Sequence, residues 1–145
     1  MNPSDDATIG TDATALADAA AAGQETILVV DDESAVRTVA ARILRGAGYT
    51  VLEAGGGEEA LLLASAHDVS LLLTDTVMPH MSGAALADRM RQRKPALPVV
   101  YMSGYDAEIL RKEGIGGDDP AFLAKPFTVE ELFARVRTTL GRPAA

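Results

Sequence analysis

Cysteine and tryptophan are absent from the 145 residues, and phenylalanine and tyrosine number three each. Without cysteine there are no disulfides and no thiolate metal sites, which agrees with a reducing compartment. No apolar run approaches the roughly 18 residues needed to cross a bilayer. The N-terminus lacks the positive segment and continuous apolar stretch of a signal peptide, so a cytoplasmic location without membrane contact is expected. Bases are missing from residues 1–25, which hold Asp5, Asp6, Asp12, Asp18 and Glu25 and thus carry most of the net charge of −8. Nor is there a lysine and arginine stripe. The richest basic run, "RMRQRK" at 89–94, reads as a solvated helix end, so no nucleic-acid partner is expected. The "GGG" at 55–57 lacks the spaced glycines of a dinucleotide fingerprint, and no Walker-type phosphate loop occurs.

What is present is a body with 48% apolar residues and the length of one ordinary domain. Residues 1–25 are acidic and alanine-rich and read as a tail or linker, residues 26–141 as the domain, and 142–145 as a short C-terminal tail. From Thr26 onward, short apolar runs alternate with segments of helical period, the signature of a parallel sheet covered by helices on both faces. The strands are expected at "TILVV", "YTVLEA", "VSLLLT", "LPVVYMSG" and "AFLA". Helices are expected after a Ser34 cap, from about Glu58 to Ala66, over 84–93, after an Asp106 cap, and after a Thr128 to Glu131 capping box. In the first of these, Val36, Val39, Ala40, Ile43, Leu44 and Ala47 form one buried face, which Gly48 ends.

The chemistry collects where strands end. "ILVVDDES" runs four apolar residues into three acids, although two unit charges 4 Å apart repel by about 4 kcal/mol at an effective dielectric near 20. In an open parallel sheet, loops leave the carboxyl ends of the strands at one edge, and ligands bind there. That edge receives Asp31 and Asp32 from strand one, Asp75 from strand three, Ser103 from strand four and Lys125 from strand five. Three hard carboxylates without histidine or cysteine at ligand spacing suit magnesium. Three acids, a divalent ion and one lysine sum to zero charge. A phosphoryl group can enter such a site, with Asp75 as the nucleophile on the central strand.

Together, "ILVVDDES", "LLLTDTVMPHMSG", "VVYMSGY" and "FLAKPF" resemble the receiver domain of two-component response regulators over roughly residues 26–140. The resemblance implies a flavodoxin-like fold, a doubly wound parallel sheet of five strands in the order 2-1-3-4-5 with five helices. It implies that Asp75 accepts the phosphoryl group, that Asp31, Asp32, Asp75 and the Val77 carbonyl hold Mg2+ or Mn2+, and that Lys125 contacts the phosphoryl oxygens. It further assigns a switch to Ser103 and Phe122, and a commonly cis peptide to Lys125-Pro126. The partners so implied are a histidine kinase or phosphotransfer protein and an unknown output protein, with a homodimer allowed for. Such a domain is not a conventional enzyme, but assists its own phosphorylation and dephosphorylation. Phosphorylation would draw Ser103 inward, repack Phe122 and shift the face of the fourth helix, fifth strand and fifth helix.

Each signal has a plainer explanation. An acid at a helix start gains about 0.3–1 kcal/mol from the dipole, which accounts for one aspartate but not for the pair with Asp75. Glu33 belongs to the helix start. Serine before glycine, as at Ser103, is ordinary turn chemistry, and Phe122 also serves core packing. His67 and His80 read as solvated, with His80 near enough to Asp75 to affect access, and Val77 and Tyr105 flank the site. "EGIGGDDP" at 113–120 is expected to be mobile or irregular, and with no effector segment after "GRPAA" the output is expected to act through binding. Both a stand-alone receiver and one cut from a hybrid kinase fit. The rival functions are a metal-dependent phosphohydrolase with Asp31 as nucleophile and Glu33 as general acid, and a docking module independent of phosphorylation.

Overall fold

The structure is a computed structural model that describes residues 25–104 and 121–141. Its elements in chain order are β1 (Thr26–Val30), α1 (Ser34–Gly46), β2 (Thr50–Ala54), α2 (Gly57–Ala66), β3 (Leu71–Asp75), α3 (Gly83–Arg93), β4 (Val99–Ser103), β5 (Phe122–Ala124) and α4 (Val129–Thr139). The five strands form one parallel sheet in the order β2-β1-β3-β4-β5, as expected. Four helices lie among the described residues. The helix expected after Asp106, the segment 113–120, Tyr105 and residues 1–24 fall outside them.

Alternation along the strands builds two cores. Ile27, Val29, Leu71, Leu73, Val100 and Met102 point to the side covered by α1 and α4, whereas Leu28, Val30, Leu72 and Val99 point to the side covered by α2 and α3. Successive strand side chains leave on opposite faces, so a strand covered twice is buried at every position and mostly apolar. β1 from Ile27 and all of β3 are buried accordingly. This burial also fixes the register, since a slip of one residue would exchange the two sets. At the edge of the sheet, Glu53 of β2 lies 3.0 Å from Arg45 and 3.6 Å from Arg37, placing charge on an edge strand.

Helix ends follow local chemistry. α1 closes with Gly48 at φ 102°, its N–H donating to the Arg45 carbonyl at 3.0 Å and that of Tyr49 to Leu44 at 3.2 Å, the paired bonds of a left-handed C-terminal cap. α4 has the expected capping box, with the Thr128 hydroxyl accepting from the Glu131 N–H and the Glu131 carboxylate from the Thr128 N–H. Three expectations need correction. Ser34 does not cap α1: the helix already starts at Ser34, because the Arg37 N–H donates to the Glu33 carbonyl at 3.1 Å and puts Glu33 in the capping position, without a side-chain bond. Val39 is 51% exposed, since Ala40, Ala41 and Leu44 fill the side of α1 that meets the sheet. β3 begins at Leu71, not Val69, and includes Asp75 as its last residue.

Candidate functional site

Two strand ends bring three carboxylates to one rim, and a third brings a lysine. β1 ends at Val30, and Asp31 follows directly, its N–H donating to the Ala54 carbonyl of β2 at 3.2 Å. Asp31 is fully buried, while its neighbour Asp32 is exposed. Asp75 pairs across to Met102 in the β3–β4 register and is 8% exposed. Carboxylate oxygens of Asp31, Asp32 and Asp75 all lie within 4.8 Å of one another. Beyond β5, the Lys125 N–H donates to the Ser103 carbonyl at 2.8 Å, and its Nζ stands 2.8 Å from Asp31 Oδ2 and 3.4 Å from Asp75 Oδ1. The Lys125-Pro126 peptide is cis.

Asp31 is thus occupied on both oxygens, one by the Glu33 N–H and one by Lys125. Its own carbonyl accepts from Arg37 Nη1 at 2.7 Å, which ties the residue to α1. Asp75 has the less settled carboxylate: burial and the nearby charge of Asp31 push its pKa above the usual carboxylate value, and Lys125 opposes this. For Lys125, burial alone would lower the pKa, but its hydrogen bond to Asp31 and the charges of Asp75 and Asp31 together raise it. One ammonium therefore serves two buried carboxylates, and a third acid stands at the open side.

This donor set fits a small divalent cation. The ligands are oxygen only, and the exposure of Asp32 leaves a side on which a magnesium ion would keep its waters. Val77 sits two residues past Asp75 in the connecting loop, its side chain 54% exposed. Ser103 is 1% exposed at the end of β4, and Phe122 opens β5 at 6% exposure with its carbonyl accepting from Arg135 Nε at 2.7 Å. His80 is exposed in the same loop as Val77, at φ 70°, a left-handed conformation that histidine adopts more readily than most residues.

Three residues at the rim escaped the sequence reading. A side chain at Gly83 would overlap the Asp75 carbonyl oxygen, and the Gly83 N–H donates to the Thr76 carbonyl at 3.0 Å, so this glycine permits α3 to start against the end of β3. Thr76 is nine-tenths buried, and its hydroxyl has no hydrogen-bond partner among the described residues. Arg37 lies six residues after Asp31, one helical turn into α1, and this spacing was the available signal.

The family described as response regulator receiver domain matches residues 27–137 of the chain. The receiver domain of the hybrid histidine kinase CckA is similar at 41% identity and a TM-score of 0.66, covering 79% of this chain and 98% of that one. The Vibrio cholerae chemotaxis protein CheY4 is similar at 26% identity and a TM-score of 0.71, over 79% and 98% of the two chains. The probable transcriptional regulatory protein TcrX of Mycobacterium tuberculosis is 35% identical over 119 residues, 81% of this chain and 50% of TcrX. The chain spans about half the length of that relative.

Proposed function

The chain belongs to the response regulator receiver family, the phosphoacceptor module of two-component signalling, and from this premise we propose that Asp75 is the residue phosphorylated. The observation that carries this reading is the single ammonium of Lys125 within 3.4 Å of Asp75 and 2.8 Å of Asp31, with Asp32 completing the acidic rim. Asp31 is held from two sides by protein donors, and Asp75 is the carboxylate left to react.

A phosphohistidine of a partner histidine kinase or phosphotransfer protein approaches from the side of Asp32 and Val77. An oxygen of Asp75 attacks phosphorus as the bond to the imidazole nitrogen breaks, that nitrogen keeping the electron pair, and an acyl phosphate forms on Asp75. Lys125 stays charged throughout and neutralises a phosphoryl oxygen. Asp31, Asp32, Asp75 and the Val77 carbonyl would hold a Mg2+ or Mn2+ ion, which would supply the remaining charge neutralisation. The Ser103 hydroxyl, buried at the neighbouring strand end, turns toward the phosphoryl group, and Phe122 repacks behind it, which couples the rim to β5 and α4. An output protein reads that change. Hydrolysis by water from the open side returns the free carboxylate.

Neither rival has support. A phosphohydrolase with Asp31 as nucleophile would need substrate to reach a side chain that is fully buried, whereas Asp75 keeps some exposure at the rim. A docking module independent of phosphorylation gives no reason for three converging acids. Incubation with acetyl phosphate and Mg2+ tests the reading: the intact mass should gain one phosphoryl group, mapped to Asp75 and absent in Asp75→Asn. Label on Asp31, or sustained turnover of phosphate esters, would overturn it.

A further inference from the structure

Away from the acidic rim, a groove of about 860 Å³ runs between α2 and α3. Its floor is apolar, formed by Leu61, Ala64, Val69, Met90 and Leu97. On its α2 wall, Leu62 is 72% exposed, the most exposed large apolar side chain among the described residues. Arg89, Arg93 and Lys94 line the α3 wall, with Glu58 and Asp68 opposite, and Lys94 pairs with Asp68 at 3.2 Å. An exposed leucine over an apolar floor is the kind of surface that an amphipathic helix covers.

The chain itself arrives at this place. One end of the groove lies at the amino edge of the sheet, where Asp68 and Val69 lead into β3 and Lys94 and Leu97 into β4. At the same edge the Thr26 N–H donates to Ser70 Oγ at 3.0 Å, and the Ser70 N–H to the Thr26 carbonyl at 2.8 Å. Thr26, where residues 1–25 join the sheet, therefore lies beside the groove wall. Among them, Ala13, Leu16, Ala17 and Ala20 recur at the spacing of one helical face, with Asp18 on the opposite face. Ten helical residues, 13–22, would be about 15 Å long, the same as the ten-residue α2. Residues 23–25 could span about 10 Å to reach β1. Such a helix is too short to hold by itself and needs a surface to pack on. Charge agrees: residues 1–25 carry five acids and no base, and the α3 wall carries three bases.

We propose that residues 13–22 form a helix that docks in the α2–α3 groove of the same chain, with Leu16 against Leu62. The absence of cysteine makes this testable in the full chain by paired substitution. Leu16→Cys is combined with Leu62→Cys, Ser65→Cys or Arg93→Cys along the groove, and with Val39→Cys on α1, across the sheet, as the control. At least one groove pair should close to an intramolecular disulfide, at a rate independent of protein concentration, and the control pair should not. In the chain without these substitutions, amides of residues 16–22 should exchange about tenfold or more slowly than an unstructured chain, and Leu62→Asp should remove that protection. Leu62 is exposed, so Leu62→Asp keeps the fold, which the unchanged exchange of β1 and β3 verifies. Covalent dimers from the groove pairs would assign the groove to a second copy and overturn the proposal. Cross-linking no better than the control, or coil-like exchange at residues 16–22, would overturn it as well.

Discussion

Two lysine–aspartate pairs at opposite ends of the sheet show how burial changes the meaning of one contact. Lys125 and Asp31 meet at 2.8 Å with side chains 15% and 0% exposed, and Lys94 and Asp68 meet at 3.2 Å with side chains 44% and 94% exposed. The first pair is withdrawn from water beside a second carboxylate, so each member is compensated only while the others are present. The second is bathed in solvent and screened, and either member can be lost with little consequence. Electrostatics at the carboxyl rim therefore concerns reactivity, and at the amino edge it is minor trim.

Breaking the buried pair should give the largest effect. Lys125→Ala leaves Asp31 charged with no counterion in the interior and should cost about 3–5 kcal/mol in urea unfolding without metal. Added Mg2+ should recover part of that loss, since a cation at the rim substitutes for the ammonium. The pKa of Lys125 is raised in the folded state, so its contribution is fully present below the ordinary lysine value of 10.5 and is lost as pH rises through the folded value. A loss below about 1 kcal/mol would show that the rim is far wetter than its exposures imply.

Gly83→Ala comes next. The new methyl group meets the Asp75 carbonyl, which is main chain and cannot swing aside, so destabilisation of about 1–3 kcal/mol is expected together with slower labelling of Asp75. Gly46→Ala, at the open end of α1 with nothing near the added carbon, should instead stabilise by up to about 1 kcal/mol. Equal effects at the two glycines would remove close approach as the reason for Gly83.

Much of this was legible in advance, for identifiable reasons. The doubly covered strands announce themselves because burial on both faces leaves no polar position between Ile27 and Val30 or between Leu71 and Leu73. Acids directly after such strands stand out for the same reason, which is how Asp31, Asp32 and Asp75 were found. What period and composition do not encode is contact between distant main-chain atoms. Gly83 fell just outside the helix expected over 84–93, and its neighbour, the Asp75 carbonyl, is visible only in three dimensions. Ser34 looked like a cap because serine usually serves as one, but the first helical bond runs from the Arg37 N–H to the Glu33 carbonyl, which places Ser34 inside the helix. Strand order likewise came from resemblance to a family, not from the residues alone.

The pH dependence of Asp75 sharpens the contrast at smaller scale. Burial and Asp31 raise its folded pKa, so the metal-free protein loses stability as pH rises from the ordinary aspartate value of 3.8 through the folded value, and a constant penalty remains above that. Asp75→Asn removes the charge. Two carboxylates 4 Å apart repel by at most about 4 kcal/mol at an effective dielectric near 20, and Lys125 and water at the open side cancel most of it, so a gain of about 1 kcal/mol is expected at neutral pH. The two proteins should converge in acid, and Mg2+ should stabilise the unaltered chain more than Asp75→Asn. A gain that is the same at every pH would mean that packing, not charge, separates them.

The solvated pair should yield least. Lys94→Ala removes the contact with Asp68 and a 2.6 Å hydrogen bond to the Val69 carbonyl, and should cost no more than about 1 kcal/mol. Asp68→Ala, which removes only the ion pair, should cost still less, and its effect should vanish in about 1 M salt, where the screening length is near 3 Å. Lys94→Ala should keep part of its cost in salt, because the bond to the carbonyl does not depend on a partner charge. Should Asp68→Ala instead rival Lys125→Ala, exposure would have no bearing on the strength of these pairs, and the distinction between the two ends of the sheet would fail.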